Sequence, residues 1–160
     1  MDHHVAQVNV ARLRAPLDSP ELADFVALLD QINELGDTSP GFVWRLKTPG
    51  GDATSFRVFD DDSLIVNLTV WESIEALSNF TYRSAHKDVM RRRQEWFVLL
   101  EEAYLALWWV PVGHRPSLAE AEDRLSYLRM RGPTPEAFTL HNRFPPRDTW
   151  NSLTQSSKSA

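Results

Sequence analysis

A chain of 160 residues with 42% hydrophobic content is one globular domain by default, long enough to bury a core and too short for two. Its net charge of -5, with acidic and basic residues interspersed, argues against a nucleic-acid surface; the one basic cluster, Arg91-Arg92-Arg93, is short and falls in a helix-like segment. The absence of cysteine excludes disulfides, thiolate catalysis, iron–sulfur clusters and cysteine-ligated zinc. The opening "MDHHVAQVNV" lacks the basic region and apolar stretch of a signal peptide, and no apolar run approaches membrane-spanning length. The expectation is a cytoplasmic protein that contacts neither membrane nor nucleic acid.

Along the chain, Val5 to Leu13 alternates as a strand, with Ala6, Val8 and Val10 on one face and Gln7, Asn9 and Ala11 on the other. Ser19 and Pro20 then start a helix whose apolar stripe, Leu22, Phe25, Val26, Leu29 and Ile32, runs to Gly36. "PGFVWRL" and "SFRVF" flank the turn-forming "TPGGDA", as a hairpin or an interrupted strand, and here Phe42 and Trp44 are expected on one face against Val43. "SLIVNLTVW" follows as a strand with a purely aliphatic face, Leu64, Val66, Leu68 and Val70. Its other face mixes Ile65, Asn67, Thr69 and Trp71. Helical patterns cover the stretch from Glu72 and then Ala85 to Glu102; "YLALWWVPV" returns to strand character. Pro116-Ser117 opens a capped helix that ends at Gly132, "EAFTLHNRF" adds a short extended segment, and "DTWNSLTQSSKSA" lacks periodicity. The expected organisation is one α+β domain over residues 1–146 and a flexible tail over 147–160.

The order strand, helix, strand, strand, helix, strand is that of a ferredoxin-like antiparallel sheet with helices on one face. Tryptophans at 44, 108 and 109 predict a second, uncovered face, and hence a homodimer that pairs sheet to sheet into an α/β barrel. The aliphatic faces are expected to meet the helices, leaving Gln7, Asn9, Asn67, Thr69 and Trp71 to look over the open face. A polar pocket there would explain why a strand places amides among core residues, where an unpartnered polar group costs a few kcal/mol.

The stretch "VWESIEALSNFTYRSAH" resembles a segment of the antibiotic-biosynthesis-monooxygenase superfamily, a strand ending in Trp-Glu followed by a helix and a His. With "HVAQVN", "SPGFVWRL", "LWWVPVGHRPSLAEA" and "GPTPEAF", the chain to about Pro146 resembles a branch of that superfamily catalogued as a domain of unknown function. The resemblance implies a dimeric α/β barrel with a cavity in each protomer. It also implies relatives that oxidise phenols and quinones without a cofactor, and others that degrade haem. Asn67 and Trp71 match the Asn and Trp of the phenol oxidisers, and Asn9 matches the strand position of the haem degraders' Asn. The expected position of the haem-ligating His holds Phe80 and Thr81, with His86 further on.

Helical spacing puts His86, Arg93 and Phe97 on one stripe. An imidazole exchanges protons near neutral pH, and a guanidinium holds a phenolate, carboxylate or reduced-oxygen anion. The sequence thus predicts a small-molecule enzyme or binding protein with an aromatic-lined cavity. For its enzymatic form the resemblance implies a cofactor-independent monooxygenase of phenols or quinols, with His86, Asn67 and Arg93 catalytic and Trp71, Asn9, Gln7 and Thr69 binding substrate. The alternatives are a non-catalytic dimer with a filled interior, or haem binding through His86. No metal site is expected: His3 and His4 point to opposite faces of their strand, and "FDDD" lacks the alternation and closing Glu of a calcium loop.

Overall fold

The two strands that alternate most cleanly are neighbours at the centre of the sheet. A computed structural model describes residues 3–47, 59, 61–83 and 86–146, the side chains of 82–90 excepted. In it β1 (His3–Leu13) pairs antiparallel with the strand Leu64–Trp71, and the register sets Val8 opposite Leu68 and Asn9 opposite Asn67. With β2 (Phe42–Arg45), the Leu64–Trp71 strand as β3, β4 (Phe97–Val98) and β5 (Leu105–Pro111), the sheet runs β2-β3-β1, with β5 and β4 both on the far edge of β1. The chain is thus α+β, an antiparallel sheet in ferredoxin-like order. The segment expected to be extended near Phe138 forms a two-way backbone bridge to Leu107 on β5.

Each sheet face has its own cover. The aliphatic side, Val8, Val10, Val66, Leu68 and Val70, packs with Ala106, Trp108 and Val110 of β5 against Ala121, Leu125 and Leu128 of the helix Leu118–Arg131. The other side lies under α1 (Ala23–Asp37), α2 (Ile74–Arg83) and α3 (His86–Trp96). These three form the expected one-sided layer, and the Leu118–Arg131 helix, α4, adds a cover that the sequence reading did not provide for. Two expectations are corrected here. The polar face of β1 and β3 is roofed by helices rather than open, and Trp108, one of the three tryptophans from which a sheet-to-sheet dimer was expected, is not exposed. Trp108 is fully buried beneath α4, donating its Nε1 to Glu120 at 2.8 Å, and Trp109 Nε1 donates to the Phe144 carbonyl at 2.7 Å.

Three local corrections have clear causes. A β-bulge between Phe42 and Trp44 puts Phe42 opposite Trp71 on the helix-roofed side and Trp44 opposite Val70 on the α4 side, so the two aromatics part company. The helix expected to reach Glu102 ends at Trp96, because Phe97 and Val98 are drawn into pairing with Leu13 and Arg12. The Ser19 hydroxyl makes no cap; Pro20 opens a 3-10 turn closed by Leu22 N–H to the Ser19 carbonyl at 3.2 Å, and α1 starts after it. At the start of α4, by contrast, Ser117 Oγ accepts from Glu120 N–H at 3.1 Å as its sequence predicts. The "SFRVF" and "FDDD" readings and the tail over 147–160 fall wholly or in part outside the described residues.

Candidate active site

Because β1 and β3 alternate in step, Gln7, Asn9, Asn67, Thr69 and Trp71 all face α1–α3, where their polar atoms satisfy one another. The Trp71 indole can only donate, and it gives its hydrogen to Thr69 Oγ1 at 2.9 Å. Gln7 Nε2 donates to the same oxygen at 2.8 Å and to Asn67 Oδ1 at 3.2 Å. Asn9 Nδ2 donates to Gln7 Oε1 at 2.6 Å and to Asn67 Oδ1 at 3.4 Å. Gln7 and Thr69, buried to 3% and 6% exposure, are thereby compensated. Two amide groups of this ladder have no partner among the described residues, the Asn67 Nδ2 donor and the Asn9 Oδ1 acceptor.

Above that floor is a cavity of about 280 Å³. Its walls are Phe25, Leu29 and Ile32 from α1, Leu77 and Phe80 from α2, and Phe42, Phe97 and Leu105 from the sheet. The α1 wall is pinned by Phe25, whose ring meets Phe97 edge-on at 5.0 Å and Trp96 at 5.3 Å. Trp71 is part of the wall rather than a free plate: Phe80 stacks on it at 5.3 Å and Phe42 meets it edge-on at 5.5 Å. Polar groups enter from several sides, with Asn33 on α1, Thr81 on α2, Tyr104 before β5, Arg45 on β2 and Arg93 on α3. Thr81 Oγ1 already donates to the Leu77 carbonyl, whereas Asn33 has no partner among the described residues.

Of the seven residues singled out by sequence, six line this one cavity: Gln7, Asn9, Asn67, Thr69, Trp71 and Arg93. His86 stands at the first position of α3, and its side chain lies outside the described residues. Arg93 makes no ion pair among the described residues, whereas its neighbour Arg92 binds Glu95 and Asp24 at 2.9 Å and holds the Glu95 carboxyl below its usual range. A family model matches residues 4–154, nearly the whole chain. The chain belongs to the family described as Domain of unknown function (DUF3291). This match meets the resemblance seen in the sequence to a branch of that kind within the antibiotic-biosynthesis-monooxygenase superfamily.

No curated protein matches the DUF3291 chain. Among solved structures it is similar to SnoaB, a cofactor-independent oxygenase from Streptomyces nogalater, at 17% identity over 74% of this chain and 98% of that one, with a TM-score of 0.45. It is also similar to Rv0793 from Mycobacterium tuberculosis, at 14% identity over 71% and 99%, TM-score 0.45. A third is a candidate antibiotic biosynthesis monooxygenase from Chloroflexus aurantiacus, at 15% identity over 72% and 98%, TM-score 0.42.

The polar residues of the DUF3291 cavity that the sequence left unmarked as site residues are Arg45, Asn33, Tyr104 and Thr81. Asn33 carried a signal, a polar residue at the edge of an apolar helical stripe. Arg45 carried none, since only the bulge brings it opposite Thr69. A haem would need an axial ligand; among the described lining residues Tyr104 is the one side chain of a type that can ligate haem iron, and the side chain of His86, the ligand expected from the sequence, lies outside the described residues. Among the described residues no group of three His, Asp or Glu could hold a metal ion, and no helix is long and apolar enough to cross a membrane.

Proposed function

We propose that the DUF3291 chain is a small-molecule protein whose cavity takes up an aromatic, phenol- or quinol-like ligand and, as an enzyme, oxidises it with O₂ without a cofactor. The observation that carries this reading is the cavity itself, about 280 Å³ between a hydrogen-bonded polar floor and aromatic walls. Small-molecule sites begin at about this size and combine apolar walls with a few placed polar groups. An interior packed wholly by its own side chains would not leave that space.

In the catalytic form of the proposal, His86 takes the phenolic proton; it lies two helical turns from Arg93 and so on the same stripe of α3. The free Asn67 Nδ2 and the Arg93 guanidinium stabilise the oxygen anion that develops. Trp71, Asn9, Gln7 and Thr69 shape the floor against which the ring lies. The reaction balances as phenol plus O₂ giving quinone plus water: the ring supplies four electrons, one oxygen atom becomes a carbonyl, and the other leaves as water. A homodimer enters the proposal on the sequence expectation alone, and any pairing must leave the α4-covered face closed.

A thermal-shift screen of phenols, naphthols and quinols, followed by oxygen-electrode measurements on those that bind, tests both levels. Ligand-induced stabilisation and O₂ uptake are expected, with His86→Ala and Asn67→Ala abolishing uptake while the circular dichroism spectrum stays native. Binding without O₂ uptake would leave a binding protein and remove the enzyme. No binding by any member of the series would remove the reading altogether.

A further inference from the structure

The charge around the cavity is one-sided. Two guanidiniums, those of Arg45 and Arg93, and no carboxylate occur among the described lining residues. Arg45 is already engaged, its Nε donating to Asp37 Oδ1 at 2.8 Å and its Nη2 to Asp37 Oδ2 at 3.2 Å. Glu95, two residues beyond Arg93, and Asp24 from α1 are also committed, because both bind Arg92, and the side chain of Asp88 lies outside the described residues. Arg93 therefore brings to the rim a positive charge that has no acceptor among the described residues. Apolar walls on either side, Phe25, Leu29 and Phe97, keep the local dielectric low and lengthen the reach of that charge.

A cationic ligand entering this space would meet repulsion at the rim and no carboxylate within the described lining. A neutral ring would gain only burial and the Asn67 and Asn9 hydrogen bonds. A ring bearing a carboxylate would gain all of these and a two-pronged contact as well, because the planar guanidinium fork matches two carboxylate oxygens in a way that a single phenolate oxygen does not. We propose that Arg93 is a specificity-determining residue that selects aromatic carboxylates, holding the anionic end at the rim while the ring enters the cavity. The inference rests on the small-molecule reading above and adds the charge of the ligand to it.

Three probes that share a naphthalene ring and differ in charge test it by calorimetry at pH 7.5: 2-naphthoate, an anion; 2-naphthol, neutral; and 2-naphthylmethylamine, a cation. Naphthoate is expected to bind at least tenfold tighter than naphthol, and the amine weakest. Arg93→Gln should abolish the preference for naphthoate over naphthol, and Arg93→Lys, which keeps the charge and loses the fork, should retain part of it. Arg93 is exposed on the helix surface, so both variants are expected to fold, and thermal melts check this. Should the Gln variant unfold, an unreduced preference in the Lys variant overturns the inference. Equal binding of the three probes, or a preference that survives Arg93→Gln, also overturns it while the small-molecule reading stands. Failure of all three to bind removes that reading and the inference with it.

Discussion

Thr69 carries more of the site than its small hydroxyl suggests. It is the single acceptor for the Trp71 indole, and it takes a hydrogen from Gln7 as well, so one oxygen orients both the wall and the floor of the cavity. Thr69→Val keeps the shape and removes that acceptor, leaving a buried indole donor and a buried amide hydrogen without partners. Each orphaned group costs about 1–3 kcal/mol. The expected result is a urea midpoint lowered by a stability loss in that range, with Thr69→Ser close to the parent. A Val variant as stable as the parent would show that the ladder relaxes around its missing member. At this scale the sequence was informative in one respect only. A two-residue period fixes which side chains share a face, and so placed Gln7, Asn9, Asn67, Thr69 and Trp71 together. It says nothing about which atoms bond, because that depends on the β1–β3 register, and the register is set by the aliphatic residues on the opposite side.

Among the elements, β2 shows where pattern reading fails. Its expected face assignment assumed regular alternation, and the bulge beside Val43 breaks it, sending Phe42 to the cavity and Trp44 to the α4 side. Bulges have no reliable sequence mark, and Arg45 was missed for the same reason. What seats this irregular strand is Gly41, with φ at +83°, whose carbonyl accepts from Glu72 N–H at 2.7 Å. A Cβ at Gly41 would stand 2.4 Å from the Cβ of Ala76 on α2, so the glycine is required both by its backbone and by the close approach of the helix. Gly41→Ala is expected to cost about 2–4 kcal/mol, left-handed strain plus overpacking. It should also weaken probe binding, since Phe42 on one side and Phe80 on the other would move apart. Unchanged stability, read from a chemical denaturation curve, would mean that α2 is not held where Gly41 permits.

At the scale of the molecule, the sheet separates two kinds of cover, and this was the part least legible in the sequence. Periodicity recognised α4 as a helix, with its Ser117 cap and Gly132 stop, but a helix in isolation does not say which sheet face it seals. The tryptophans at 108 and 109 were therefore assigned to a partner chain when their own chain buries or half-buries them. The arrangement also makes an expectation about independence. Leu125 is fully buried against the aliphatic side and does not itself line the cavity, although Val10 and Val66 of its cluster do. Leu125→Ala should cost about 2–5 kcal/mol through lost burial and the space left behind. Because β1 and β3 hold their register through backbone pairing and several other aliphatic contacts, the polar floor should survive that loss. The affinity for 2-naphthoate is then expected to stay within twofold of the parent at a temperature where the variant is still folded, while Asn67→Ala shows the reverse pattern, weakened binding with a smaller loss of stability. Calorimetry paired with thermal melts on the two variants reads both quantities. A Leu125→Ala protein that melts lower and also binds several-fold more weakly would show that the two covers are coupled through the sheet, with α4 acting as a support of the cavity.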